Sequence, residues 1–485
     1  MDQPIDYQRK WQVMAAVAMS LILATIDGSI VNVALPTLSR DFQATFATVQ
    51  WVVLAYLLTL TVLMLGIGRL ADMFGKKPLF TAGFVIFTIG SVLCGLSPTI
   101  YWLIGFRVLQ ALGAAMLLAL GTAIVTEAFP PSERGKALGI AGSIISIGIV
   151  VGPTLGGLLI DALSWHWIFF VNLPVGLAGT LMSVRFVPAL RPAGGQRFDY
   201  LGAFTLLVSL LCLLLALTWG QGVGFGDTRI LLLLAGFALF TTVLLLIELR
   251  HPQPMMDLRL FQNTLFSVNL LTGLATFITI AGAITLMPFY LENVLGYDPR
   301  QTGLLLAAIP IVLGVVSPLS GALSDRFGTR PITVMGLLII LVGYYTLSTL
   351  DENTSAVGYL LRFLPIGLGM GTFQSPNNSA IMGAAPRQRL GVVSGLLSVT
   401  RTLGQTAGIA ILGAVWAGRT LHHAGRPLTG GATTAPPISQ VAGLQDTFLV
   451  MVGLLAAALL LGLWGLAHER RTLRAHGRLP DPAGD

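Results

Sequence analysis

The sequence predicts an all-α integral membrane protein made of two six-helix bundles with two more helices inserted between them. Three observations point there. Of the 485 residues 54% are hydrophobic and only 10% are charged. Apolar runs of about 20 residues, long enough to cross a bilayer, recur from end to end. The turn GRLADMFGKKP at residues 68–78 returns as GALSDRFGTRP at 321–331, both times between two such runs, which marks a duplicated membrane unit.

Taken in order, the hydropathy pattern places about fourteen spans at residues 11–35, 49–70, 79–96, 102–125, 138–160, 167–187, 201–217, 230–249, 266–291, 303–323, 332–350, 357–382, 392–416 and 448–468. The first stretch is full length and lacks a small-residue cleavage site, so it is expected to stay as an uncleaved anchor. Spans two to six alternate with short polar turns. The seventh and eighth follow a Pro- and Gly-containing segment and have no partner in the repeat. The remaining six repeat the first six. The expected organisation is therefore a first bundle at 1–190, a two-helix insert at 191–260, a second bundle at 261–470 and a tail at 471–485.

The net charge of +7 does not gather into a patch for nucleic acid. Bases such as Arg9, Lys10, Lys76, Lys77, Arg134, Arg330 and Arg389 share one side, and the other side holds Arg40, Arg229, Arg300, Arg419 and Arg426. The positive-inside rule then puts both termini in the cytoplasm of a multi-pass cell-membrane protein, with its basic faces against anionic lipid headgroups. Cys94 and Cys212 lie inside spans and read as apolar packing residues. No Walker loop, hydrolase nucleophile or cofactor fingerprint is present, so an enzyme is not expected, nor a cofactor or metal site.

Parallel six-helix repeats place a substrate site near the midplane between them and alternate access by rocking about it. Within that frame Asp27 lies well inside the first span. An ionised carboxylate at that depth costs about 2.5–3.5 kcal/mol on insertion scales, which proton uptake can relieve. Glu127, Glu248 and Glu292 fall near helix ends, where water is expected to reach them. Arg107, in the fourth span, is a permanent charge that needs an acceptor or a water-filled cavity. Paired with Asp27 across that cavity, it would form a proton switch.

The repeated turn offers a latch: Gly68, Asp72, Gly75 and Lys76 in the first copy, Asp325 and Gly328 in the second, with Arg134 and Arg389 in neighbouring loops as ion-pair partners. The glycines suit a tight turn and close backbone approach. In the fifth span Gly148, Gly152, Pro153, Gly156 and Gly157 suit tight helix packing with a bend, and sliding by the repeat puts Pro153 on about Gly408 and Gly156 on Ile411, so the second half lacks this pattern. Asn32, Gln50, Trp51, Tyr56, Asn172, Tyr290, Phe373, Gln374, Asn377, Asn378, Arg401 and Gln405 are candidates to line the cavity. Arg401 is a second buried cation with no counterpart in the first half. The segment beginning at Arg107 is expected to match that beginning at Arg362, whereas Asp27 slides onto Ile280.

Five segments in order, DGSIVNVALP at 27–36, the 68–78 turn, RVLQALG at 107–113, GIVVGPTLGG at 148–157 and WHWIFFVNLP at 165–174, resemble the major facilitator superfamily, specifically its fourteen-helix drug:proton antiporter branch. The resemblance covers essentially the whole chain; the usual Gly after Gln110 is Ala111. It implies proton coupling through Asp27 and Arg107, recognition of cationic drugs by Asp27, and a fifth-span motif that seals an exporter against ion leak. The expected function is proton-coupled export of amphipathic, often cationic compounds, with small drug-like molecules and protons as partners. A monomer is expected, with an accessory periplasmic protein left open. The alternatives are an exporter of a specific metabolite, peptide or lipid, or a non-transporting membrane sensor.

Overall fold

The computed structural model describes residues 9–130, 133–188, 200–250, 261–383, 390–425 and 431–475. All regular structure among them is helical, as it must be where lipid cannot satisfy backbone N–H and C=O groups. The first half comprises α1 (Lys10–Asp41), α2 (Trp51–Phe74), α3 (Lys76–Gly95), α4 (Ile100–Ala128), α5 (Arg134–Ala162) and α6 (Asn172–Phe186). The insert is α7 (Tyr200–Val223) and α8 (Thr228–Arg250). The second half is α9 (Thr264–Phe289), α10 (Ala308–Phe327), α11 (Thr329–Leu347), α12 (Ala356–Gly383), α13 (Leu390–Ala424) and α14 (Pro437–Ala475). Short helical pieces at Phe46–Val49, Trp167–Phe170 and Pro299–Leu306 lead into α2, α6 and α10, and a π-helical turn at Tyr290–Val294 ends α9.

Twelve helices among the described residues are long and apolar enough to cross a membrane, against the fourteen expected. The two not counted, α5 and α13, contain stretches whose side chains lie outside the described residues.

Several helix starts are fixed by local chemistry. Thr99 caps α4 by accepting from the Trp102 amide, and Asn263 caps α9 by accepting from the Leu265 and Phe266 amides. Asp298 and Gln301 form a capping box ahead of α10. The repeated turns share one geometry. Gly75 and Gly328 have φ of 90° and 88°, and each donates its amide four residues back, to Ala71 and Ser324. That left-handed backbone suits glycine.

The two halves share a packing frame. In the first, α1 packs on α4, α5 and α6, and α3 packs on α4; in the second, α9 packs on α12, α13 and α14, and α11 packs on α12. The α3–α4 contact closes on Gly83, Gly90 and Gly113, and the α11–α12 contact on Gly336, Gly343 and Gly369. At each of these a Cβ would meet the facing helix, the small-residue device that brings membrane helices together.

The halves meet at the end of the molecule away from the start of α1 and the end of α14, here the far end. Arg40 Nη2 donates to Glu292 Oε2 at 2.6 Å. Phe46 stacks edgewise on Phe289 and Trp416 at 5.1 and 4.8 Å. Gly157 rests on the backbone of Pro299 and Arg300, and Gly303 on the Pro153 carbonyl. The inserted α7 packs on both α2 and α13, so it bridges the halves. Outside it, α8 packs on α7 and is the least buried of the twelve spans.

Candidate functional site

A buried charge network fills the centre of the first half. Asp27 of α1 is fully buried and Arg107 of α4 is 1% exposed. Arg107 Nη1 donates to Asp27 Oδ2 at 2.5 Å and to Gln110 Oε1 at 2.6 Å, and Arg107 Nε donates to the Val52 carbonyl at 3.0 Å. The other carboxylate oxygen, Oδ1, accepts from Gln110 Nε2 at 2.7 Å and from Asn172 Nδ2 at 3.2 Å. Ser91 Oγ ties in from α3, accepting from Gln110 at 2.7 Å and Asn172 at 3.4 Å. The guanidinium carbon lies 4.1 Å from the centroid of the Tyr56 ring, a cation–π contact that covers the remaining face of the charge.

Local sequence accounts for this convergence. Arg107 and Gln110 stand one turn apart on α4, so they present to the same side. Gly90 of α3 faces the Gln110 backbone with no room for a Cβ, and the neighbouring Ser91 thereby comes within reach of the Gln110 amide. Both charges are paired and hydrogen-bonded, the condition under which burial is tolerated. The sequence had the pair facing each other across the central cavity. The structure places both members inside the first bundle, because α1 and α4 are direct packing neighbours.

The fifth-span glycines sit beside this network. Gly148 faces Thr25, Gly152 faces Ser29 and Gly156 faces Ile30, all on α1, whereas Gly157 and the Pro153 carbonyl face the second half. One motif therefore seats α5 on the helix carrying Asp27 and supplies a contact between the halves.

Of the expected latch, Gly75 and Gly328 make the matching turns. Lys76 pairs with Glu127 at the end of α4, inside its own half, while Gly68 lies within α2. The side chains of Asp72, Arg134 and Asp325, and Arg389 altogether, lie outside the described residues.

The proposed cavity lining divides. Gln374, Asn378, Arg401 and Gln405 are half-buried on α12 and α13. Asn32 donates to the Gly28 carbonyl of its own helix, and Asn377 donates to the Asn269 carbonyl at 3.2 Å. Asn172 and Tyr56 belong to the charge network. Four residues are placed elsewhere. Gln50 is buried near Phe46 and Gly413 at the far-end contact. Trp51 Nε1 donates to Thr218 Oγ1 of the insert at 3.2 Å. The Tyr290 hydroxyl donates to the Asp351 carbonyl at 2.6 Å. Phe373 is 1% exposed, with its backbone against Gly336.

Two acids expected to be wet are buried: Glu248 is 3% and Glu292 7% exposed. Glu292 is enclosed by the contact between the halves, with Arg40 as its partner. Sequence reasoning passed over Ser91, Gln110 and the Val52 carbonyl. Gln110 carried a signal in its one-turn spacing from Arg107; the other two carried none.

The register of the repeat also needs correction. Gly113 meets the Gly83 carbonyl and Phe87, and Gly369 meets the Gly336 carbonyl and Ile340, so these two glycines are equivalent. The position equivalent to Arg107 is then Phe363, which is fully buried. Arg362 is one residue, about 100°, away on the helix and donates to Thr349 Oγ1 and the Gly358 carbonyl, each at 3.0 Å.

Comparison with known proteins agrees with this architecture. Residues 17–409 match the family model of the Major Facilitator Superfamily. The riboflavin transporter RibZ of Clostridioides difficile is 34% identical over 411 residues, covering 84% of this chain and 89% of RibZ. The multidrug resistance protein Stp of Mycobacterium tuberculosis is 35% identical over 413 residues, covering 84% of this chain and 77% of Stp. A solved structure of a bacterial homologue of the human lysosomal transporter Spinster, inward-facing and unoccupied, superposes with a TM-score of 0.70. It covers 98% of this chain and 99% of that one at 19% identity, a likeness of fold alone. The helices, their duplicated packing and the extent of these matches together make the chain a member of the Major Facilitator Superfamily of membrane transporters.

Proposed function

We propose that the chain is a proton-coupled antiporter that exports amphipathic compounds across the cytoplasmic membrane by alternating access, with α5 and α13 completing fourteen spans and both termini cytoplasmic. The observation that carries this reading is the Asp27–Arg107 network, a protonatable acid held at membrane depth by a removable partner. In this conformation Arg107, Gln110 and Asn172 occupy both oxygens of the Asp27 carboxylate. When the half deforms and Arg107 withdraws, the stranded carboxylate takes a proton, and the return of Arg107 expels it. Fully buried in this conformation, Asp27 couples through the position of α1 and α4, and α5 transmits that position to the second half through Gly157 and Pro153.

The basic residues gather at the end where α1 starts and α14 ends, so the far end, where the halves touch, reads as the outer face. Its closure fits a state open to the cytoplasm. The latch of Asp72 and Asp325 with Arg134 and Arg389 would close the opposite state. Relatives named for multidrug resistance and for multidrug transport support an efflux role. The relative named as a riboflavin transporter favours a second reading, a carrier of one specific metabolite on the same fold.

The test is dye export from cells with wild type and Asp27→Asn, together with proton release by the purified protein on adding candidate substrates. The variant is expected to lose export at least about tenfold, equivalent to about 1.4 kcal/mol, and to release no proton. Export by Asp27→Asn at the wild-type rate against a gradient would falsify coupling through Asp27.

A further inference from the structure

We propose that Arg401 is an anion-recognition group, so that the exported compound carries a carboxylate, phosphate or sulfonate which becomes its counter-ion. The inference rests on the transporter reading and narrows its cargo.

Arg401 stands well inside α13, where a permanent cation needs an anion or water. Its guanidinium carbon lies 5.4 Å from the centroid of the Phe277 ring on α9. Among the described residues it has no hydrogen bond or ion pair, unlike Arg107, whose charge is met on every side. In the second half the acids within the long helices are Asp325 in the last turn of α10, and Asp446 and Glu469 in α14. Glu292 is held by Arg40, and Asp446 by Arg419 and His423. Asp27 is held by Arg107 within the other bundle.

The direction of Arg401 follows from its helix. At about 100° per residue, it lies about 20° round from Gly408, which rests on Ile278 of α9, and about 60° short of Trp416, which reaches Phe46 of the first half. The side chain thus runs along α9, on the flank of that contact nearer the first half, and it is half-buried there. A turn away along α9, Asn377 lies beside Gly273 and its Oδ1 is buried without a hydrogen-bond partner. Together they offer an anion site with a neighbouring acceptor for a cargo N–H or O–H, beside the apolar Phe277 ring. This arrangement selects an amphipathic anion over the cation that the resemblance to drug antiporters implies.

The experiment measures binding to the purified full chain in a non-ionic detergent, where no anionic headgroup competes. The probes are dansylglycine, which is anionic, dansylglycinamide, which is neutral, and dansylcadaverine, which is cationic. Wild type is expected to bind dansylglycine at least about tenfold more tightly than the amide, the scale of a charge-assisted hydrogen bond. Arg401→Gln should erase that preference, and Arg401→Lys should keep most of it. Equal binding of the acid and the amide by wild type, preference for the cation, or no binding of any probe overturns the inference, whether or not the variants fold. So does an Arg401→Gln protein that keeps the preference. The antiporter reading is judged separately by proton release and by Asp27→Asn, neither of which involves Arg401.

Discussion

In the first half Gly90 of α3 meets Gln110, and beyond Gln110 lie Asp27 and Arg107; in the second half Gly343 of α11 meets Ile366 at the same place. Continuing round the frame, Ser91 becomes Tyr344, Arg107 becomes Phe363 and Asp27 becomes Ile280, all buried. A polar centre and an apolar one thus occupy the same scaffold. The difference teaches that close glycine packing, present in both halves, holds each bundle together. The ion pair is an addition confined to one of them, where membrane burial makes it costly and therefore responsive to small movements.

The strongest way to break this comparison is to remove the arginine that each half carries on this helix, Arg107 of α4 and Arg362 of α12. Arg107→Ala strands the Asp27 carboxylate and should cost about 3–5 kcal/mol of stability, read as a large fall in the thermal unfolding temperature of the detergent-solubilised protein. Arg362→Ala removes hydrogen bonds near the surface and should cost about 0.5–1.5 kcal/mol. Equal losses would mean that the two arginines are equivalent after all.

A smaller effect sharpens the shared part. Gly113→Val and Gly369→Val each push a side chain into a facing backbone, so each should lose about 1–3 kcal/mol, and by similar amounts. A loss in only one half would show that the packing frame is not symmetric.

The smallest effect sits in the loop between α11 and α12. Asp351 accepts from Thr354 Oγ1 at 2.8 Å and from the Asn353 amide at 3.0 Å, and these bonds hold its carboxyl below the usual carboxylate range. Its contribution is present above the unfolded-state pKa of about 4 and is lost as the pH falls through the lowered folded value. The unfolding-temperature gap between wild type and Asp351→Asn should therefore narrow in acid below about pH 4. A gap independent of pH would remove the carboxylate from the account.

Much of the fold is legible because lipid simplifies the code: long apolar runs fix the helices, and the repeated 68–78 and 321–331 turns fix the duplication. Asp27 and Arg107 are legible because charge at depth is rare. What escapes is direction. Gln50, Trp51 and Phe373 look like cavity residues by depth, yet the far-end joint, the inserted α7 and the α11–α12 seam claim them, and a count of positions does not tell which side of a helix faces inward. The Arg362 register fails for the same reason, since one residue turns a side chain by about 100°. The seat of α7 against α2 and α13 depends on contacts far apart in sequence, of which the Trp51–Thr218 bond is one.

The joint where Gly157 lies on Pro299 and Gly303 lies under Pro153 consists of main chain against main chain. Such a bearing is chemically mute: under the alternating access proposed above it would guide how the halves roll on one another, and it says nothing about what passes between them. Cargo preference could then drift through substitutions in the lining while the joint stays intact. That separation of machinery from payload fits a chain about equally similar to a protein named for a vitamin and one named for drug resistance.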